Sequence, residues 1–265
     1  MMPVVTPVLQ VRLLGDFLLV SDEIPMTAID SQRLRSLLAY LILHSATPQS
    51  RSHLAFLLWP DSSEEQAHTN LRTVIIRLRQ ALPNLDDFLH VGRRSLHWRP
   101  TVSCVLDVMD FEEALIRADQ ATDPKTERQA LEEAVGLYQG DLLPDCYDEW
   151  VLSERDRLRQ LFLEALERLV ELFEQEHNYS AAIRVAQRLI RHDSLHEIAY
   201  RHLMRLYARS GNRAALARTY QTCVTVLERE LAVGPSSATR RVYEQYIQAE
   251  ESWTPLRVPE LAQAL

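Results

Sequence analysis

The chain has 265 residues, 46% of them apolar, and a net charge of −8 at pH 7. That length suits two domains of ordinary size, each able to bury a core. The acidity is uneven: residues 1–106 carry 10 Lys/Arg against 9 Asp/Glu, which leaves 19 against 28 for residues 107–265; this excludes unspecific, histone-like coating of nucleic acid but not DNA binding by the first part.

In chain order, residues 9–20 are short, apolar and partly alternating, broken at Gly15-Asp16 and again at Ser21-Asp22-Glu23. They predict a meander of two or three strands. Residues 33–44 revert to helical spacing with Leu34, Leu37, Leu38 and Leu41 on one face, and a second short helix is expected over 51–59 with Leu54, Leu57 and Leu58 inward. Trp59-Pro60-Asp61 stops it. A long helix follows over 65–82, entered through Ser62/Glu65 or Ser63/Gln66, either of which can cap the first unpaired amides. Wound at about 100° per residue, it places Ala67, Leu71, Val74, Ile75, Leu78 and Leu82 on one face. The opposite face carries Thr69, Thr73, Ile76, Arg77 and Gln80, with Asn70 and Arg72 on the flanks. A helix apolar inside and neutral to basic outside suits a phosphate-lined groove. Brief strands over 88–91 and 96–98 then bracket Gly92-Arg93-Arg94-Ser95, a hairpin with two arginines at its tip. Strands, two helices, a long helix and a basic-tipped hairpin form the layout of a winged helix-turn-helix that begins with a small sheet.

A last strand is expected over 104–108, and the rest is almost purely helical: 111–119, 125–138, 150–176, 179–192, 195–209, 212–230 and 236–248. An internal repeat lies in it. Asn178-Tyr179-Ser180-Ala181-Ala182-Ile183 recurs 34 residues on as Asn212-Arg213-Ala214-Ala215-Leu216-Ala217, and Ala165, Leu169, Leu172 and Phe173 match Ala199, Leu203, Leu206 and Tyr207. That period, with small residues where paired helices must approach, predicts tetratricopeptide-type helix pairs, the last helix capping the stack. The expected organisation is therefore a winged-helix domain over 1–106 and an all-α repeat domain over 107–250. With no Gly/Ser linker between them, they are expected to pack as one body. Residues 251–265 are expected to form a loose tail.

At this point the residues resemble a known family, the SARP-type bacterial regulators. The matching stretches are LLGDF at 13–17, RLRSLLAYLILHS at 33–45, LAFLLWPD at 54–61, NLRTVIIRLRQAL at 70–82, LDVMDFEEAL at 106–115, LYQGDLLPDCYDEWVLSERDRLR at 137–159 and AYRHLMRLYARSGNRAALARTY at 199–220. The resemblance implies an OmpR-like winged helix joined to a bacterial transcriptional activator domain of tetratricopeptide helices. It further implies binding to direct repeats near promoters as side-by-side dimers, and recruitment of RNA polymerase. The chain is thus expected to be a sequence-specific transcriptional regulator, an activator, with double-stranded DNA and RNA polymerase as partners and a homodimer on DNA.

On that reading, Thr69, Thr73, Ile76 and Arg77 contact base edges, since Arg forks onto guanine and Thr and Ile methyls suit thymine. Asn70, Arg72 and Gln80 reach phosphates or the groove wall, and Arg93 and Arg94 set the wing in the adjacent minor groove. Two roles stay open for Arg72 and Arg79, contact with DNA or pairing with Asp61 or Asp86. Arg33, Arg35 and Arg51 are equally open between phosphate clamps and solvated surface. No catalytic set is present: GxxxxGK[ST] and G-x-S-x-G are absent, and six glycines leave few phosphate-cradling loops. No cofactor or metal is expected; His192, His196 and Glu197 straddle a turn and read as surface residues, and Asp141 and Asp145 as helix caps or solvated groups. Cys104, Cys146 and Cys223 lack CxxC spacing and are expected as reduced thiols. Residues 1–17 read as the lead-in to a strand, not as a signal peptide, and no run approaches the roughly 18 apolar residues of a span, so a soluble, cytoplasmic protein without a membrane partner is expected. The rival reading is a protein-interaction adaptor that uses the helical groove while the winged helix docks protein. An enzyme ranks behind it.

Overall fold

The structure, a computed structural model, describes residues 8–21, 24–82, 84–101 and 103–248. The expected tail of 251–265 and the first seven residues of the N-terminal lead-in lie outside the described residues. By Cα proximity the chain divides into two units, Met1–Phe162 and Leu163–Leu265.

In the first unit, β1 (Val8–Arg12) and β2 (Leu18–Ser21) pair antiparallel from Leu9↔Ser21 to Arg12↔Leu18, and β3 (Ile24–Pro25) adds to β2. Leu9 and Val11 are buried while Gln10 and Arg12 are exposed, the alternation of a strand with one face on a core. Between β1 and β2, Gly15 adopts φ 93°, a conformation that costs residues with a Cβ. Next come α1 (Gln32–Leu43), β4 (Gln49–Ser50) and α2 (Arg51–Leu58); the hydroxyls of Ser31 and Ser50 cap the two helices by accepting from the Leu34 and His53 amides. The long helix is α3 (Glu64–Ala81), with Ser63 accepting from the Gln66 amide at 3.4 Å. Of the two entry pairs open in sequence, only this half of a capping box forms. The Gln66 side chain turns instead to Asn70, donating to its Oδ1 at 2.8 Å.

β5 (Leu89–Val91) and β6 (Ser95–Trp98) make the hairpin, and β4 pairs with β6 in the register Ser50↔Ser95 to give a sheet β4-β6-β5. β4 was not expected; two residues are too few to carry a period. β7 (Ser103–Leu106) returns to lie parallel to β1, completing the order β3-β2-β1-β7. The strand expected over 104–108 stops at Leu106 because Asp107 opens α4 (Asp107–Asp119). The Asp107 carboxylate is buried and accepts the amides of Leu13 (2.9 Å), Leu14 (2.8 Å) and Val108 (2.8 Å), which ties the end of β1 to the helix start. α5 (Pro124–Leu137) and the 27-residue α6 (Glu149–Gln175) follow. Between them, Arg155 donates to the carbonyls of Leu142, Leu143 and Cys146 at 2.6–2.8 Å, folding the loop onto its own helix. Leu143 N–H bonds to the Leu13 carbonyl, and a Cβ on Gly140 would lie 3.1 Å from Gly15 Cα, so backbone passes backbone where two glycines meet. Asp141, half-buried, caps no helix among the described residues and accepts from the Tyr138 hydroxyl at 2.8 Å.

The second unit holds the end of α6 with α7 (Tyr179–His192), α8 (Glu197–Arg209), α9 (Arg213–Leu231) and α10 (Ser237–Gln248). The 34-residue repeat is a repeat of hydrogen bonds. Asn178 caps α7 by accepting from Ala181 N–H and donates its own amide to the Phe173 carbonyl; Asn212 does the same with Ala215 and Tyr207. His177 and Gly211, one residue earlier, both take left-handed backbone at φ 56° and 72°. Ala165, Leu169 and Leu172 are buried, as are their counterparts Ala199, Leu203 and Leu206. α10 closes on α8 and α9 through Ser236 on Glu197, Arg201 on Thr239, and Tyr220 stacked on Tyr243 at 4.0 Å.

Candidate nucleic-acid interface

The surface forms around α3 because its apolar stripe fixes which side faces out. Ala67, Leu71, Val74, Ile75 and Leu78 are buried, and Leu82 beyond the helix end is buried too. Thr69, Arg72, Thr73, Ile76, Arg77 and Gln80 are consequently exposed, with Asn70 half-buried. The Thr69 and Thr73 hydroxyls donate to the carbonyls of Glu65 (2.9 Å) and Thr69 (3.1 Å), one turn back. Their protons are thereby engaged, which leaves methyl groups and acceptor lone pairs at the surface. Ile76, 58% exposed, stands among them as a large apolar side chain that the core does not use.

Eight of the nine sequence-predicted residues, all but Ile76, fall into neighbouring depressions along the helix. The largest, about 960 Å³, runs between the start of α2, the first half of α3 and the hairpin tip, and it brings Thr69 and Arg72 beside Arg93 and Arg94. A second of about 360 Å³ is bordered by Asn70, Thr73 and Arg77 together with Arg33 and Trp59. Gln80 lines a third with Arg77. All nine predicted residues therefore lie on one helix face or on the hairpin beside it. Among the described residues no carboxylate pairs with Arg72, Arg77, Arg93 or Arg94. Glu64 and Glu65, at the start of α3, line the large groove as well.

Arg51 belongs to this surface too, a position that sequence left open. β4 pairing on β6 carries it there: its amide donates to the Arg94 carbonyl at 3.0 Å, and its side chain lines the groove. Its Nε is buried without a hydrogen-bond partner among the described residues. Burial first, then the charges of Arg72 and Arg79, lowers its pKa. Several guanidinium groups thus crowd one groove, an arrangement that an anion relieves. Arg79 does pair with Asp86, at 3.5 Å across exposed surface. Arg33 and Arg35 already have partners within the fold. Arg33 bonds Asp148 at 2.6 Å and lies over the Trp59 ring, while Arg35 donates to the Ile29 carbonyl and lies over Phe17.

Elsewhere the described residues hold no group of three or more His, Cys, Asp or Glu side chains arranged to take a metal. His196 bonds Glu167 and lies 3.6 Å from Asp193. Among the described residues no helix is long and apolar enough to cross a membrane.

Residues 106–246 match the bacterial transcriptional activator domain family. The chain is 25% identical over 232 residues to regulatory protein AfsR of Streptomyces coelicolor, covering 86% of this chain and 23% of that one. It is 23% identical over 221 residues to regulatory protein AfsR of Streptomyces griseus, covering 83% and 23%. The chain thus spans about a quarter of the length of these curated relatives. Its fold is similar to that of Mycobacterium tuberculosis EmbR, solved in complex with a low-affinity phosphopeptide, with a TM-score of 0.71 and 19% identity over 92% of this chain and 66% of that one.

Proposed function

The chain belongs to the bacterial transcriptional activator domain family, among the SARP-type regulators, and from that premise we propose that it activates transcription by reading promoter DNA with α3 and the hairpin wing. Residues 1–106 supply the reading head, and residues 107–250 the activator part that contacts RNA polymerase. The observation that carries the reading is the outer face of α3. It is exposed, free of acidic residues from Gln66 to Leu82, and continuous with a wing whose arginines have no counter-charge among the described residues.

In this reading α3 enters the major groove. Arg77 forks onto a guanine, and Thr69, Thr73 and Ile76 present methyl groups to thymines. Asn70 and Gln80 donate amide protons to the groove wall. Arg51, Arg72, Arg93 and Arg94 neutralise phosphates along the wing side, which fixes register without carrying sequence information. Two copies on adjacent repeats make the functional assembly, and activation is recruitment, without covalent chemistry by this protein.

Selection of duplexes from a random pool by the purified protein tests this. Enrichment of a repeated motif is the expected result. Arg77→Ala should relax the preference at one position of the half-site at a cost of about 1–3 kcal/mol. Recovery of unrelated sequences only, by wild type and Arg77→Ala alike, refutes the reading.

A further inference from the structure

The stretch DCYDEWVLSER, residues 145–155, lies within the range that matches the family, yet none of it lines the α3 groove. Asp148, just before α6, accepts from Arg33 Nη1 at 2.6 Å and, through its other oxygen, from the Ser36 hydroxyl. Trp150 Nε1 donates to the same Ser36 Oγ at 3.2 Å, and the Trp150 ring meets Tyr40 edge-on at 5.1 Å. Ser36 is fully buried, and only 11% of the Asp148 side chain is exposed, so these bonds form where little water competes. Arg33, Ser36 and Tyr40 are spaced i, i+3 and i+7, which puts them on one stripe of α1.

The contacts run on towards α3. The Tyr40 hydroxyl hydrogen-bonds His53 Nε2 on α2 at 2.8 Å. Arg33 lies over the Trp59 ring at the end of α2, 5.8 Å from its centroid. Arg33 and Trp59 then border the same depression as Asn70, Thr73 and Arg77. We propose that Asp148 and Trp150 are positioning residues for DNA reading, setting α1, and through it α2 and the outer face of α3, without touching DNA.

The inference rests on α3 being the reading helix. Base recognition needs side chains placed to within about 0.5 Å, whereas attraction to phosphates is tolerant of small shifts. Loosening α1 therefore erodes preference for the right sequence and leaves unspecific affinity intact.

The test compares wild type, Asp148→Ala, Asp148→Asn, Ser36→Ala and Trp150→Phe on a selected duplex and on shuffled DNA across a salt series, with amide hydrogen exchange on the free proteins. Asp148→Ala should lower the preference for the selected duplex about tenfold, with shuffled binding no weaker and the salt slope no smaller, since the change also frees the Arg33 charge. Exchange should quicken in α1, α2 and α3 but not in residues 179–248. Asp148→Asn, which keeps an acceptor for Ser36, should recover part of the loss. Should Asp148→Ala fail to fold by circular dichroism, Ser36→Ala and Trp150→Phe carry the same comparison. Folded variants that keep the wild-type preference overturn the inference alone. So does a parallel fall on both duplexes with a salt slope reduced by about 1, since that marks a lost phosphate contact. A wild type without preference for any sequence overturns DNA reading itself, and this inference with it.

Discussion

His202 is 4% exposed, and its Nδ1 accepts a hydrogen bond from Arg205 at 2.8 Å. Burial, followed by the Arg205 and Arg201 charges, pulls its pKa from 6.5 down to about 4. Glu174 lies 3.8 Å from the same nitrogen, but its carboxylate is engaged by Arg209 at 2.9 Å and does not reverse the shift. The unfolded chain takes up a proton near pH 6.5 that the folded state refuses, so this stability is complete above 6.5 and is lost as pH falls towards 4. Urea unfolding at pH 7 and pH 5 should differ by roughly 2 kcal/mol, and His202→Leu should remove that difference. Backbone strain gives a second expectation. Gly211→Ala at φ 72° should cost about 1 kcal/mol in thermal unfolding, while His177→Gly at φ 56° should stabilise by less, because glycine also gains freedom when unfolded. Some of these residues were legible in the sequence and others were not, for a physical reason. Asn178 and Asn212 announced themselves by recurring at a fixed period next to small residues. Nothing local marks His177 as left-handed; the hydrogen bonds of the turn impose it. Arg33 looked as available to DNA as Arg51 did, because its partner Asp148 is 115 residues away.

At the scale of elements, what periodicity can carry was readable and what a tertiary contact decides was not. The buried stripe of α3 follows from six apolar positions at helical spacing, and the exposed face that carries the predicted site is its complement. β4 is a two-residue bridge whose only signal is its pairing with β6, yet that bridge delivers Arg51 to the groove. The end of β7 is likewise set from afar, by the Asp107 carboxylate receiving the Leu13 and Leu14 amides. Burial raises the pKa of Asp107, and those amides, Val108 N–H and the Arg12 charge oppose the rise. Asp107→Ala leaves these buried donors without an acceptor and should lower the unfolding free energy by at least about 2 kcal/mol, read as a shift in urea midpoint at constant slope. Asp107→Asn, with one acceptor oxygen left, should fall between that variant and wild type.

At the scale of the whole molecule, the mainly helical fold with a small N-terminal sheet follows from the order of the elements and the 34-residue period, and the family match over 106–246 agrees with it. The division into a DNA-reading part and an activator part is our functional proposal. The first compact unit extends past residue 106 to Phe162, taking in α4, α5 and the start of α6, so the reading head and those helices belong to one unit. The central claim is that this unit reads DNA through α3 and the wing. Fluorescence anisotropy of the purified protein on DNA from upstream of its own gene, against a shuffled duplex at two salt concentrations, tests it most directly. We predict a preference for the native duplex of several kcal/mol that weakens steeply with salt and disappears in the Arg77→Ala/Arg93→Ala/Arg94→Ala variant, with the salt slope reduced by about 2 as the two wing charges are lost. Equal binding of both duplexes by wild type and triple variant, with the same salt slope, would contradict the account.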